Sequence, residues 1–144
     1  MLSTEHDIVA DYADTGKIRY VYSPILDHGP TAKTYQAAEC AGDQDPVAFW
    51  AIHDLFYSDQ NQLWSADMDT YADFAARSGV PDLAQFRQCL ETGQFAEKTI
   101  ALDRVRRGEG IRLRPTFSIN GLIIPGAQSY AQLAALIDEA LAAR

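Results

Sequence analysis

The chain has 144 residues, 47% of them hydrophobic, with a formal charge of −8 and a pI near 4.7. That length suits one domain with a sizeable core, and so acidic a surface excludes nucleic acid as a partner because its phosphates would be repelled. No apolar run approaches the ~20 residues that span a bilayer, and the opening residues, with Glu5 and Asp7, form no secretory signal. The expectation is a cytosolic chain, or one whose targeting segment lies upstream.

In chain order, Leu2 to Ala13 reads as a short helix with Ile8, Val9 and Tyr12 on one side and Ser3 or Thr4 as cap. Asp14 to Lys17 is a turn, and Ile18 to Tyr22, β-branched and aromatic, is predicted as a strand that Pro24 helps end. Pro30 opens a helix running to Ala41, where Gly42 stops it. Pro46 opens the next, with Phe49, Ile52, His53 and Phe56 along one face.

Asp67 to Arg77 follows with Met68, Tyr71, Ala72 and Ala75 on a face and Gly79 past its end. Asp82 caps a helix carrying Leu83, Phe86 and Leu90, closed by Gly93, and Phe95 to Arg107 is the last of this run, basic in its final turn. The period then changes. Thr116–Ile119 and Leu122–Ile124 are strands joined by the two-residue hairpin signal Asn120-Gly121. Pro125-Gly126 breaks the second strand, and Ser129 to Ala143 is a final helix with Tyr130, Leu133, Ala134, Ile137 and Leu141 on one face.

Five segments in this order carry a resemblance. They are Thr15 to Tyr22; Ala37 to Gln44 with Phe49-Trp50 and His53 to Phe56; Phe86 to Leu90; Gly110 to Gly121; and Gly126 ahead of the last helix. Together they resemble the DsbA-like thioredoxin-fold thiol–disulfide oxidoreductases over nearly the whole chain. The resemblance implies an α/β fold in an α+β arrangement. Residues 1–28 and 109–144 would form the thioredoxin-like part and residues 29–108 an inserted helical domain. Two departures stand out. The family's first strand and its CxxC have no counterpart here, so the fold is expected to be N-terminally truncated. The residue before the family's cis-proline is usually Thr or Val, and here it is Arg114.

The chemistry follows from those departures. A thiol–disulfide exchanger needs a low-pKa thiolate, best held at a helix N-terminus, yet Cys40 and Cys89 both fall near predicted helix C-termini. By the resemblance they pair as a disulfide within the helical insert; two buried thiols are the alternative. No catalytic residue is therefore assigned. The resemblance places an extended peptide or protein substrate against Arg114, Pro115 and Thr116, with the Arg114–Pro115 bond cis; the alternative is an ordinary trans proline opening a strand. Arg114 either lowers the pKa of a facing thiolate or is a solvated cation.

His6, His28 and His53 show no metal spacing, and His53 reads as a hydrogen-bonded core residue. Phe49, Trp50, Phe56 and Trp64 read as core aromatics. No metal or cofactor is expected, since no nucleotide-binding motif is present. The expected function is that of a DsbA-like oxidoreductase domain whose CxxC is not in this chain, inactive as given; the alternative is a non-catalytic thioredoxin-fold module that binds peptides or proteins. The resemblance implies a periplasmic or extracytoplasmic location and no membrane insertion. A homodimer is a further expectation. With the central strand absent, Ile18–Tyr22 and Thr116–Ile119 would either pair directly or accept a strand from a neighbouring molecule.

Overall fold

The structure is a computed structural model and describes residues 2–143, with the side chain of Leu2 left aside. Eight α-helices and one hairpin appear among these residues: α1 (Leu2–Ile8), α2 (Thr31–Gly42), α3 (Pro46–Ser58), α4 (Gln60–Leu63), α5 (Met68–Arg77), α6 (Leu83–Thr92), α7 (Ala96–Gly108), β1 (Thr116–Ile119), β2 (Leu122–Pro125) and α8 (Tyr130–Ala142). The chain divides into two compact units. One unites the residues up to Ser23 with those from Arg106 onward; the other is Pro24–Val105, so the second boundary falls inside α7.

In the first unit α1 continues as a π-helical turn over Val9–Ala13, closed by the Asp14 N–H donating to the Val9 carbonyl at 2.9 Å. Ile8 and Tyr12 pack there against Leu133, Ala134 and Ile137 of α8, with Phe117 and Ile119 of β1 alongside. Asn120 and Gly121 both take left-handed φ, 50° and 91°, which is the backbone twist a two-residue hairpin needs and which glycine adopts without penalty. The strands pair antiparallel with Ile119 opposite Leu122 and Thr116 opposite Pro125. Ser129 caps α8 in a reciprocal box with Gln132.

The expected strand Ile18–Tyr22 is not formed. Residues 18–22 are irregular, and the sheet of the described residues consists of β1 and β2 alone. A strand needs a hydrogen-bonded neighbour, and high β-propensity does not supply one. Among the described residues no ladder joins this segment to Thr116–Ile119, and β1 pairs with β2 alone.

The second unit is helical. α2 lies against α3 and α6, and α5 against α3 and α6. Small residues Ala37, Ala38 and Ala41 on α2 allow close approach, and Ile52, Phe56, Tyr71, Phe74 and Phe86 fill the space between. Asp45, Asp67 and Asp82 each accept a hydrogen bond from the first turn of the helix that follows. Helix α2 runs through Gly42 and ends at Asp43. Two aromatic expectations fail: Trp64 is 64% exposed and Trp50 37% exposed. Trp64 follows the short α4, an element the sequence pattern did not reveal, and sits on the surface with its ring 5.6 Å from that of His28. Trp50 lies at the rim of α3, edge-on to Phe49 and His53.

Candidate functional site

The loop into β1 starts from the end of α7. The Ile111 N–H donates to the Arg106 carbonyl and the Gly110 N–H to the Arg107 carbonyl, both at 3.1 Å, with Gly110 at φ +86°. This is the Schellman arrangement, in which only a residue tolerant of left-handed φ reverses the chain. Ile111 is buried behind it, and the chain then surfaces: Arg112, Leu113 and Arg114 are exposed, Leu113 by 61%.

The Arg114–Pro115 peptide bond is cis. Pro115 offers its carbonyl to the Gly126 N–H at 2.8 Å, which fastens the head of β1 to the end of β2. The Thr116 hydroxyl donates to the Leu113 carbonyl at 2.7 Å, so this residue holds the loop in shape. Arg114, Pro115 and Thr116 are thus consecutive at the fixed head of β1. Arg112 and Leu113 also belong to this surface; the alternation Arg-Leu-Arg before the proline was the signal that could have marked them.

Phenols tie the helices behind the hairpin. Tyr130 of α8 donates to Asp11 at 2.6 Å, and Tyr12 donates to Asp138 at 3.0 Å. The bond to Asp11, then loss of solvent, pushes the Tyr130 phenol up to about 12. Burial, then the bond to Asp138, raises that of Tyr12.

Cys40 and Cys89 lie elsewhere, in the last turns of α2 and α6, joined by a disulfide with Cα atoms 5.9 Å apart. They are 1% and 5% exposed. Both sit at helix ends whose dipole disfavours a thiolate, and the bond between them leaves no thiol to react. Near the bridge, Lys98 pairs with Glu39 at 2.6 Å, while burial, helped by the Glu39 carboxylate, drives the Tyr35 phenol far above its usual range. His53 is buried, with Nδ1 3.0 Å from Asp54 and its ring stacked on Phe49. Among the described residues no group of three or more His, Cys, Asp or Glu is placed to hold a metal.

Comparison with known proteins agrees with this architecture. The thioredoxin family model matches residues 2–139. The Na(+)/H(+) antiporter NhaA 1 of Salinispora arenicola (strain CNS-205) is 35% identical over 137 residues, covering 90% of this chain and 19% of that protein. The antiporter NhaA 3 of Salinispora tropica is 32% identical over 143 residues, covering 94% of this chain and 20% of its own length. The chain therefore spans about a fifth of the curated relatives it matches. No helix of the described residues is long and apolar enough to cross a membrane. Among solved structures, oxidized Mtb DsbA superposes with a TM-score of 0.61 at 22% identity, over 85% of this chain and 64% of that one. The chain belongs to the thioredoxin family, and its fold is the DsbA-like form in which a helical unit is inserted into the thioredoxin-like part.

Proposed function

We propose that this chain is the peptide-binding portion of a DsbA-like thiol–disulfide oxidoreductase domain, with the catalytic dithiol outside it and no redox turnover of its own. The observation that carries the reading is a family match over residues 2–139 in a chain whose two cysteines are buried and bonded to each other. Arg114, Pro115 and Thr116 would receive an extended peptide or protein at the head of β1. An extracytoplasmic location fits the disulfide, because such bonds persist in oxidising compartments.

The antiporter relatives favour a second reading. The activity in their names is ion exchange, which needs no dithiol, so the same loop would serve a non-catalytic module bound to a protein partner, and the chain would be one part of a longer, membrane-associated protein.

The test uses reduced, carboxymethylated insulin B chain as an extended probe. Amide shifts on residues 112–119 are expected, together with no turnover in an insulin-reduction assay. Shifts confined to residues 24–105, or none, would refute the peptide-binding assignment. Turnover abolished by Cys40→Ser or Cys89→Ser would refute the assignment of the bridge as structural.

A further inference from the structure

Helix α7 turns apolar side chains toward solvent. Its fully buried residue is a polar one, Thr99, whose hydroxyl donates to the Phe95 carbonyl at 2.7 Å. Ile100 and Val105, by contrast, are 52% and 50% exposed. Glu97, Ala101 and Arg104 are exposed beside them. These three follow an i, i+4, i+7 spacing, so they form one ridge along the helix, with Ile100 on one flank and Val105 on the other.

The two charges on this ridge have no counter-charge along their own helix. Pairing along a helix joins residues three or four apart. Between Glu97 and Arg104 those positions are held by Ile100 and Ala101. Glu97 and Arg104 themselves stand two turns apart, about 10 Å along the axis. Among the described residues no ion pair engages either of them; Lys98 pairs with Glu39 and Arg106 with Glu109.

We propose that this face of α7 binds a second copy of the chain, antiparallel, about a twofold axis beside Ala101. That symmetry sets Glu97 opposite the partner's Arg104 and Arg104 opposite the partner's Glu97, because the two positions lie at equal distances on either side of the axis. The small side chain of Ala101 at the crossing lets the two helices approach closely. Ile100 and Val105 of both copies then lose their exposure to water. A partner of uniform charge sign fits less well, since it would set one of the two charges against its like. A single helix face is smaller than the roughly 800 Å² per partner of a standard interface, so the dimer is weak and reversible.

The experiment is sedimentation equilibrium of the full chain at about 0.15 M salt, where repulsion between acidic chains is screened beyond about 8 Å. The weight-average mass should rise from monomer toward dimer as concentration is raised. Glu97→Arg and Arg104→Glu each bring like charges together at two symmetric places, and each should weaken association about tenfold. Combining Glu97→Arg with Arg104→Glu restores opposite charges and should recover most of the loss. Ala101→Lys should abolish association. Circular dichroism should be unchanged throughout, because all three positions are exposed and the substituted residues are good helix formers.

A monomer at every concentration would overturn the inference. So would association that survives Ala101→Lys, which places the contact elsewhere, such as strand pairing along β1. A double charge-swapped variant no better than either single one would remove the pairing of Glu97 with Arg104 and the twofold arrangement with it. Peptide binding at the head of β1 stands or falls separately, because no residue of that loop takes part.

Discussion

Removing the bridge by changing Cys40 and Cys89 together to alanine should destabilise Pro24–Val105 by about 4 kcal/mol. The magnitude follows from the 49-residue separation of the two cysteines. In the chain-entropy model, a loop of that size left open adds about 14 cal/mol/K to the unfolded ensemble, or about 4 kcal/mol at 25 °C. Both side chains are almost fully buried, so loss of the sulfurs adds a smaller packing term of the same sign. The two tryptophans of the chain, Trp50 and Trp64, both lie in this helical unit, so their fluorescence during urea unfolding reports on it and not on the hairpin unit. With a slope of about 2 kcal/mol/M, the midpoint should fall by about 2 M. Reduction of the wild-type chain with dithiothreitol should give a shift of the same order. Superposable curves for oxidised and reduced protein would refute the argument. So would a stoichiometric count of two free thiols in the unreduced, denatured chain.

Two further outcomes concern the hairpin unit. Tyr130 should titrate near 12 by absorbance at the phenolate band, and Asp11→Asn should return it toward the ordinary value of about 10. Because its pKa is raised in the folded state, the bond to Asp11 stabilises fully below pH ~10 and is lost as the pH rises from there through 12; a Tyr130 titration that Asp11→Asn leaves unmoved would remove the interaction. Gly121→Val forces a β-branched residue to φ +91° and should cost about 1–2 kcal/mol, read as faster amide exchange across residues 116–125; unchanged exchange would refute the turn assignment.

Elements with local punctuation were legible in the sequence. Pro46, Asp67 and Asp82 marked helix starts because an N1 proline and a capping carboxylate act within one turn. Asn120-Gly121 fixed a register because both residues tolerate positive φ. What depended on a partner was not legible. Ile18–Tyr22 has the composition of a strand, but no ladder forms along it among the described residues. Trp64 has the composition of core and lies on the surface, because the four-residue α4 ahead of it carries too short a pattern to orient it. In the approach to β1, resemblance singled out Arg114, Pro115 and Thr116. The anchoring of the Arg112 side chain was not legible, because it depends on backbone carbonyls that converge only once Gly110 has reversed the chain.

The charge of the chain shows the same limit of a whole-sequence property. Pro24–Val105 holds thirteen acidic and five basic residues, so the entire excess of −8 belongs to the helical unit. The remaining residues balance at seven of each, and four of their seven basic residues fall within residues 106–114. At physiological ionic strength charges are screened over about 8 Å. Interactions between exposed charges farther apart than that are largely screened. An overall charge of −8 disfavours extended polyanions, which lie along a long surface. Net charge is thus a statement about the helical unit, and the residues outside it carry no excess of either sign.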